Sequence, residues 1–159
     1  MLRFLRSVLV GIGLLVFIAV ALGFFRTYQS ERSPHQALFT SGRAGLLGPG
    51  FYQGSVAGYS GAWQGKFFNE DNASGANIFR ENEVGVPRYP FALTPSIGLK
   101  DKGLPVIALD YNQADNPWWL KFIVDEIVAT GPTSYLGKIH VRVLPQLVFT
   151  LGYFTLEKQ

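Results

Sequence analysis

Residues 7–25 of this chain, SVLVGIGLLVFIAVALGFF, contain no charged side chain. As an α-helix the 19-residue run spans about 28 Å, close to the hydrocarbon thickness of a bilayer. Arg3 and Arg6 precede the run and Arg26 ends it. Two readings compete. One is a retained signal anchor. The other is a secretory signal peptide removed after Ala21, because Ala19-Val20-Ala21 has small residues at both required positions. The apolar run continues through Leu22, Phe24 and Phe25 and outlasts the usual signal-peptide core, which favours the anchor. The two leading arginines favour an N-terminus inside and a domain on the outer, periplasm-like side of an inner membrane, although Arg26 and Arg32 oppose that vote. The expected organisation is a tail at 1–6, a transmembrane anchor at 7–25, a linker at 26–50 and a β-domain at 51–159.

Composition narrows the chemistry. Hydrophobic residues make up 48% of the 159 and charged residues 16%, a membrane-associated balance. The net charge of +3 divides into +2 before residue 26 and +1 over residues 26–159, so the domain is nearly neutral and the sequence shows no basic run for nucleic acid. Without cysteine there is no disulfide, thiolate metal site or cysteine nucleophile, and two histidines are too few for a three-His metal centre. No cofactor and no metal are expected. Gly65-Lys66 and Gly137-Lys138 are not P-loops: Ser60 and Pro132 stand where the first glycine is needed, and Phe67 and Ile139 replace the hydroxyl residue. No nucleophile elbow is present.

Residues 26–50 are polar and then glycine-rich, which reads as a spacer lifting the domain off the membrane, with a short helix near residues 34–39. From Phe51 onward the pattern has period two. Strands are predicted at 51–57, 62–69, 76–81, 104–112, 120–130, 134–143 and 147–157. Residues 117–128 also fit helical spacing, but their β-branched content and the Gly131-Pro132 stop favour a strand. Residues 84–102 carry Pro87, Pro90 and Pro95 and read as a long irregular crossing with one short strand. About seven strands in so short a domain predict a mainly β fold, a small antiparallel barrel or sandwich.

Gly61-Ala62-Trp63-Gln64-Gly65-Lys66 resembles the G-x-W-x-G signature of the GXWXG domain family, and also the G-x-W that opens the first strand of lipocalin-like barrels. Later segments, including Leu109-Asp110-Tyr111-Asn112, Asn116-Pro117, Asp125-Glu126 and Tyr135-Leu136-Gly137-Lys138, are similar in order to a larger set of little-characterised proteins. The resemblance covers roughly residues 61–157. It implies a calycin-like, lipocalin-like β-barrel, here behind an N-terminal transmembrane helix, and it implies no particular reaction.

Several side chains are candidates for lining a ligand site: Trp63, Lys66, Tyr111, Glu126, Lys138, His140, Arg142 and Tyr153. Trp63 is either a plug over the core or the border of a cavity at the closed end of a barrel. Asp125 and Glu126 must face opposite ways on a strand, and alternation with Phe122 and Val124 predicts that Glu126 is the inward one. Lys138, His140 and Arg142 share a face opposite Tyr135, Ile139 and Val141. That face is either solvated or, with Glu126, part of a charged lumen. Trp118-Trp119 after a turn suits a membrane interface or partner surface if exposed, and a barrel plug if buried. The leading expectation is a membrane-anchored barrel that binds a hydrophobic or amphipathic small molecule, with the lipid bilayer as partner. The alternatives are a non-catalytic subunit of a membrane complex, and an isomerase or hydrolase using Glu126, His140 or Lys138.

Overall fold

The computed structural model describes every residue except Leu46, and for Leu2 and Arg3 the backbone alone, so the side chain of Arg3 in the expected positive flank lies outside the described residues. Helix α1 (Leu2–Glu31) contains the whole uncharged run and is long and apolar enough to cross a membrane. Helix α2 (Pro34–Ser41) begins with proline at its first turn, where the missing N–H costs nothing. Eight strands follow: β1 (Gly50–Ser55), β2 (Trp63–Phe68), β3 (Ser74–Glu81), β4 (Val84–Ile97), β5 (Pro105–Asp110), β6 (Ile123–Ala129), β7 (Ser134–Leu144) and β8 (Leu147–Lys158). Each pairs antiparallel with the next, and β8 pairs antiparallel with β1, which closes the barrel.

The irregular crossing expected at 84–102 is instead the 14-residue strand β4. Its prolines are tolerated because no part of β4 that contains one is paired on both sides. Pro87 and Pro90 lie where β4 pairs only β3, and Pro95 lies where it pairs only β5. Tyr89, at φ +55°, is an extra residue between Arg88 and Pro90, so Pro87 and Pro90 fall in the same phase of the ladder. The strand expected from 120 begins at Ile123, after a single 3-10 turn at Leu120–Phe122.

The described residues of 26–50 are laid along the barrel wall. The end of α1 runs beside β8, with Phe24 edge-on to Phe149 and the Thr27 hydroxyl accepting from the Thr150 N–H. Phe39 of α2 is buried with Val106, Val128 and Leu136 on the outer face. Arg43 then bridges to Ala129, and Leu47 enters the lumen. Phe39 and Leu47 of this segment are thus buried against the barrel.

Inside the barrel, Leu47, Tyr52, Phe68, Leu109, Ile127, Tyr135 and Leu156 pack one end. Gly65 makes this packing possible: at φ +144°, any Cβ would lie 2.0 Å from the Tyr52 carbonyl oxygen.

Candidate functional site

The other end of the lumen is open. A cavity of about 380 Å³ enters between the loops that follow β1 and β5, beside Phe79 of β3 and Tyr89 of β4. Its walls are Val56, Trp63, Phe79, Tyr89, Ile139 and Phe154, with Trp119 and Leu120 at the mouth. Larger depressions lie on the outside, among them one of about 500 Å³ between α1 and β8 and one of about 580 Å³ beside β1 and β2. The lumen cavity is the better site, because the barrel walls it all round and its lining is almost wholly apolar.

Its floor is a buried polar cluster. Lys66, 2% exposed, donates to Asn77 Oδ1 at 2.9 Å, to Asp125 Oδ2 at 2.9 Å and to the Tyr111 hydroxyl. The Tyr111 hydroxyl donates to the same Asp125 oxygen at 2.9 Å and accepts from Asn77 Nδ2 at 3.1 Å. The Trp63 indole N–H donates to Asn77 Oδ1 at 3.0 Å. All three ammonium protons have acceptors, and the rings of Trp63, Phe91, Tyr111 and Phe154 lie within 4.9–5.7 Å of Nζ. Burial holds Lys66 below its ordinary pKa, against the pull of Asp125, and burial together with the Asp125 charge pushes Tyr111 well above its own. The floor is therefore a neutralised, self-satisfied platform under an apolar chamber.

Trp63, Lys66 and Tyr111 come together here as lumen residues. Trp63 borders the cavity at the open end, a correction to its expected place at the closed end; its ring lies against Gly54 and meets Phe154 edge-on. Asp125 is the inward member of the acidic pair and Glu126 faces out, the reverse of the expectation. The alternation itself holds, with Val124, Glu126 and Val128 on one face and Ile123, Asp125 and Ile127 on the other; both faces are apolar and buried, and it is the second that lines the lumen. Asn77 and Asp125 are site residues outside the sequence candidates; Ile123 and Ile127 beside Asp125 are matched by Val124 and Val128 beside Glu126, so alternation does not choose between the two carboxylates.

Glu126, Lys138, His140 and Tyr153 form a second layer, outside the barrel and beneath the helices. It is neither of the two environments expected for that face. Lys138 donates to Asp101 Oδ2 at 2.6 Å and to Gln36 Oε1 at 2.8 Å, and the Tyr153 hydroxyl donates to the same Gln36 oxygen. His140 lies between Glu126 Oε2 at 3.1 Å and the Thr150 hydroxyl at 3.2 Å, and Glu126 accepts the Leu99 N–H at 2.6 Å. Lys138, His140 and Glu126 have no exposed surface. Arg142 lies further along the same face, half-buried and 3.8 Å from Asp110. Trp118 and Trp119 are exposed, at 75% and 50%; Asn116 holds their loop by donating to the Pro90 and Tyr111 carbonyls.

No family model, no curated protein and no solved structure matches this chain.

Proposed function

We propose that this protein is a membrane-anchored barrel that holds a hydrophobic or weakly amphipathic small molecule in its lumen, in the manner of the lipocalin-like and GXWXG barrels its Gly61–Gly65 segment resembles. The observation that carries the reading is the half-filled interior: aromatic and aliphatic side chains pack the closed end, while a chamber of about 380 Å³ stays open above the Lys66–Asp125 floor. That volume lies in the range of small-molecule sites, about 300–1,000 Å³. Since the floor is internally neutralised, it favours an apolar body with a hydrogen-bonding end over a strongly anionic one. In this reading α1 spans the membrane and the barrel stands on its outer side.

The exposed Trp118 favours the second reading, an accessory subunit of a membrane complex. The outer-face Glu126, Lys138 and His140 give the enzymatic reading little support, because they are sealed away from the cavity. The test is native mass spectrometry with lipid extraction on protein purified from its own membrane. A stoichiometric small molecule supports the binding barrel. An empty barrel that travels with other polypeptides supports the subunit reading.

A further inference from the structure

The open mouth of the barrel and the free length of α1 point the same way. As α1 runs from Gly23 to Ser30, its contacts on β8 run from Phe149 through Thr150 to Tyr153, so the helix and the strand are parallel. Before Gly23, α1 continues for about 30 Å, whereas β8 continues before Phe149 for only about 7 Å. The apolar helix therefore projects beyond the end of the barrel where β8 begins. That end also holds the start of β6 and the end of β7, since Ile123 pairs with Val141 and Leu144 with Leu147. It is the end at which the lumen opens.

The rim on this side is apolar and bare. Trp118, Trp119, Phe122, Val143 and Leu144 are 43–75% exposed. Lys121 and Arg142 stand among them, beside Phe122 and Leu144. The far wall differs: the β3–β4 hairpin, four strands from β8, carries an exposed Glu81–Arg88 ion pair and Glu83.

We propose that this rim beds into the headgroup–acyl boundary of the same leaflet from which α1 emerges, with the barrel mouth facing the bilayer. The proposal rests on the reading of α1 as a membrane span, and its depth follows from the packing. If Phe25 marks the last residue in hydrocarbon, the start of β8 lies about 10 Å deeper along the helix direction, the depth at which interfacial apolar groups sit. Tryptophan suits that layer, and the long side chains of Lys121 and Arg142 can snorkel from it toward the lipid phosphates. A lipid chain leaving the bilayer would then reach the cavity without crossing water.

The absence of cysteine makes the test clean. Single cysteines introduced by V16C in α1, L144C on the rim and D71C at the far end of the barrel are spin-labelled in the full chain. The protein is reconstituted in phosphatidylcholine vesicles containing one-fifth phosphatidylglycerol. Collision with oxygen and with a water-soluble nickel chelate then gives the depth of each label. The expected result is a deep label at position 16, a label in the headgroup-to-acyl layer at position 144, and an aqueous label at position 71, with oxygen collision at 144 several-fold above that at 71. A deep label at 16 with aqueous labels at both 144 and 71 overturns the docking and leaves the anchor intact. An aqueous label at 16 overturns the anchor and the docking together. Ligand loading in detergent is independent of all three labels.

Discussion

Lys66 on β2 and Asp125 on β6 meet at 2.9 Å across the lumen, although their strands stand on opposite walls of the closed barrel. The pair is a cross-brace as well as the cavity floor. Removing one partner leaves the other charge buried without its counter-charge, which costs about 3–5 kcal/mol. Lys66→Met and Asp125→Leu are each expected to lose that much in urea unfolding in detergent. The double variant is expected to recover most of it, because it removes both charges. A double variant as unstable as the two singles added together would show that the brace acts through Tyr111 and Asn77 instead.

On the outside, Lys138 draws α2 to the barrel through Gln36 and Asp101. Asp101→Ala deprives a lysine without exposed surface of its carboxylate, and Gln36 loses an acceptor in the same step. The expected effect is a loss of about 3 kcal/mol, the lower end for a broken buried pair. Limited proteolysis should then cut between α1 and α2, near residues 32–34. Protection equal to that of the unmodified protein would mean that Phe39 alone holds α2 down.

Seven of the eight strands are legible as period-two segments, and the eighth is not, for a local reason. Three prolines in 14 residues read as a crossing, yet each occupies a stretch of β4 that has one neighbour, where a missing N–H is harmless. The count matters: in an up-and-down meander only an even number of strands brings the last beside the first antiparallel, as β8 lies beside β1. Trp63 stands out in the sequence through Gly61 and Gly65 on either side of it, whereas the inward phase of Lys66 and Tyr111 appears only once the strands are paired. Glu126, Lys138 and His140 also stood out, but alternation distinguishes only two faces. It cannot tell a solvated outer face from one roofed by helices, and here α1 and α2 provide the roof.

Three phenols are held above their ordinary pKa: Tyr52, pushed to about 12 by burial and by Tyr135; Tyr111, raised by burial and Asp125; and Tyr153, raised by burial and then by Asp101 and Glu31. As pH rises past about 10 the unfolded chain releases these protons first, so the native state binds more of them. Their contribution to stability is complete below about pH 10 and is lost as pH climbs through the native values. Lys66, held low, acts in the opposite sense between its native value and that of the unfolded chain. The phenolate absorbance near 295 nm reads the tyrosines directly. At least three of the seven are expected to ionise only together with the loss of β-sheet circular dichroism. Ionisation of all seven before any loss of structure would contradict the buried positions of Tyr52 and Tyr111.

Val56 lies where β1 has ended and the wall of the cavity continues, half-buried and packed against the lumen cluster. A tryptophan there extends over the chamber, and its partial exposure leaves room for the added ring to settle. Val56→Trp is therefore expected to weaken loading of a fluorescent fatty alcohol at least tenfold, while changing stability by less than about 1 kcal/mol, as substitutions away from packed cores do. Leu151→Trp, at an exposed position on β8, adds the same ring outside and should bind like the unmodified protein. Equal loss in both variants would trace the binding to the helix-covered outer surface. Equal retention in both would remove the lumen from the function altogether, and with it the reason to read the Lys66–Asp125 platform as the floor of a site.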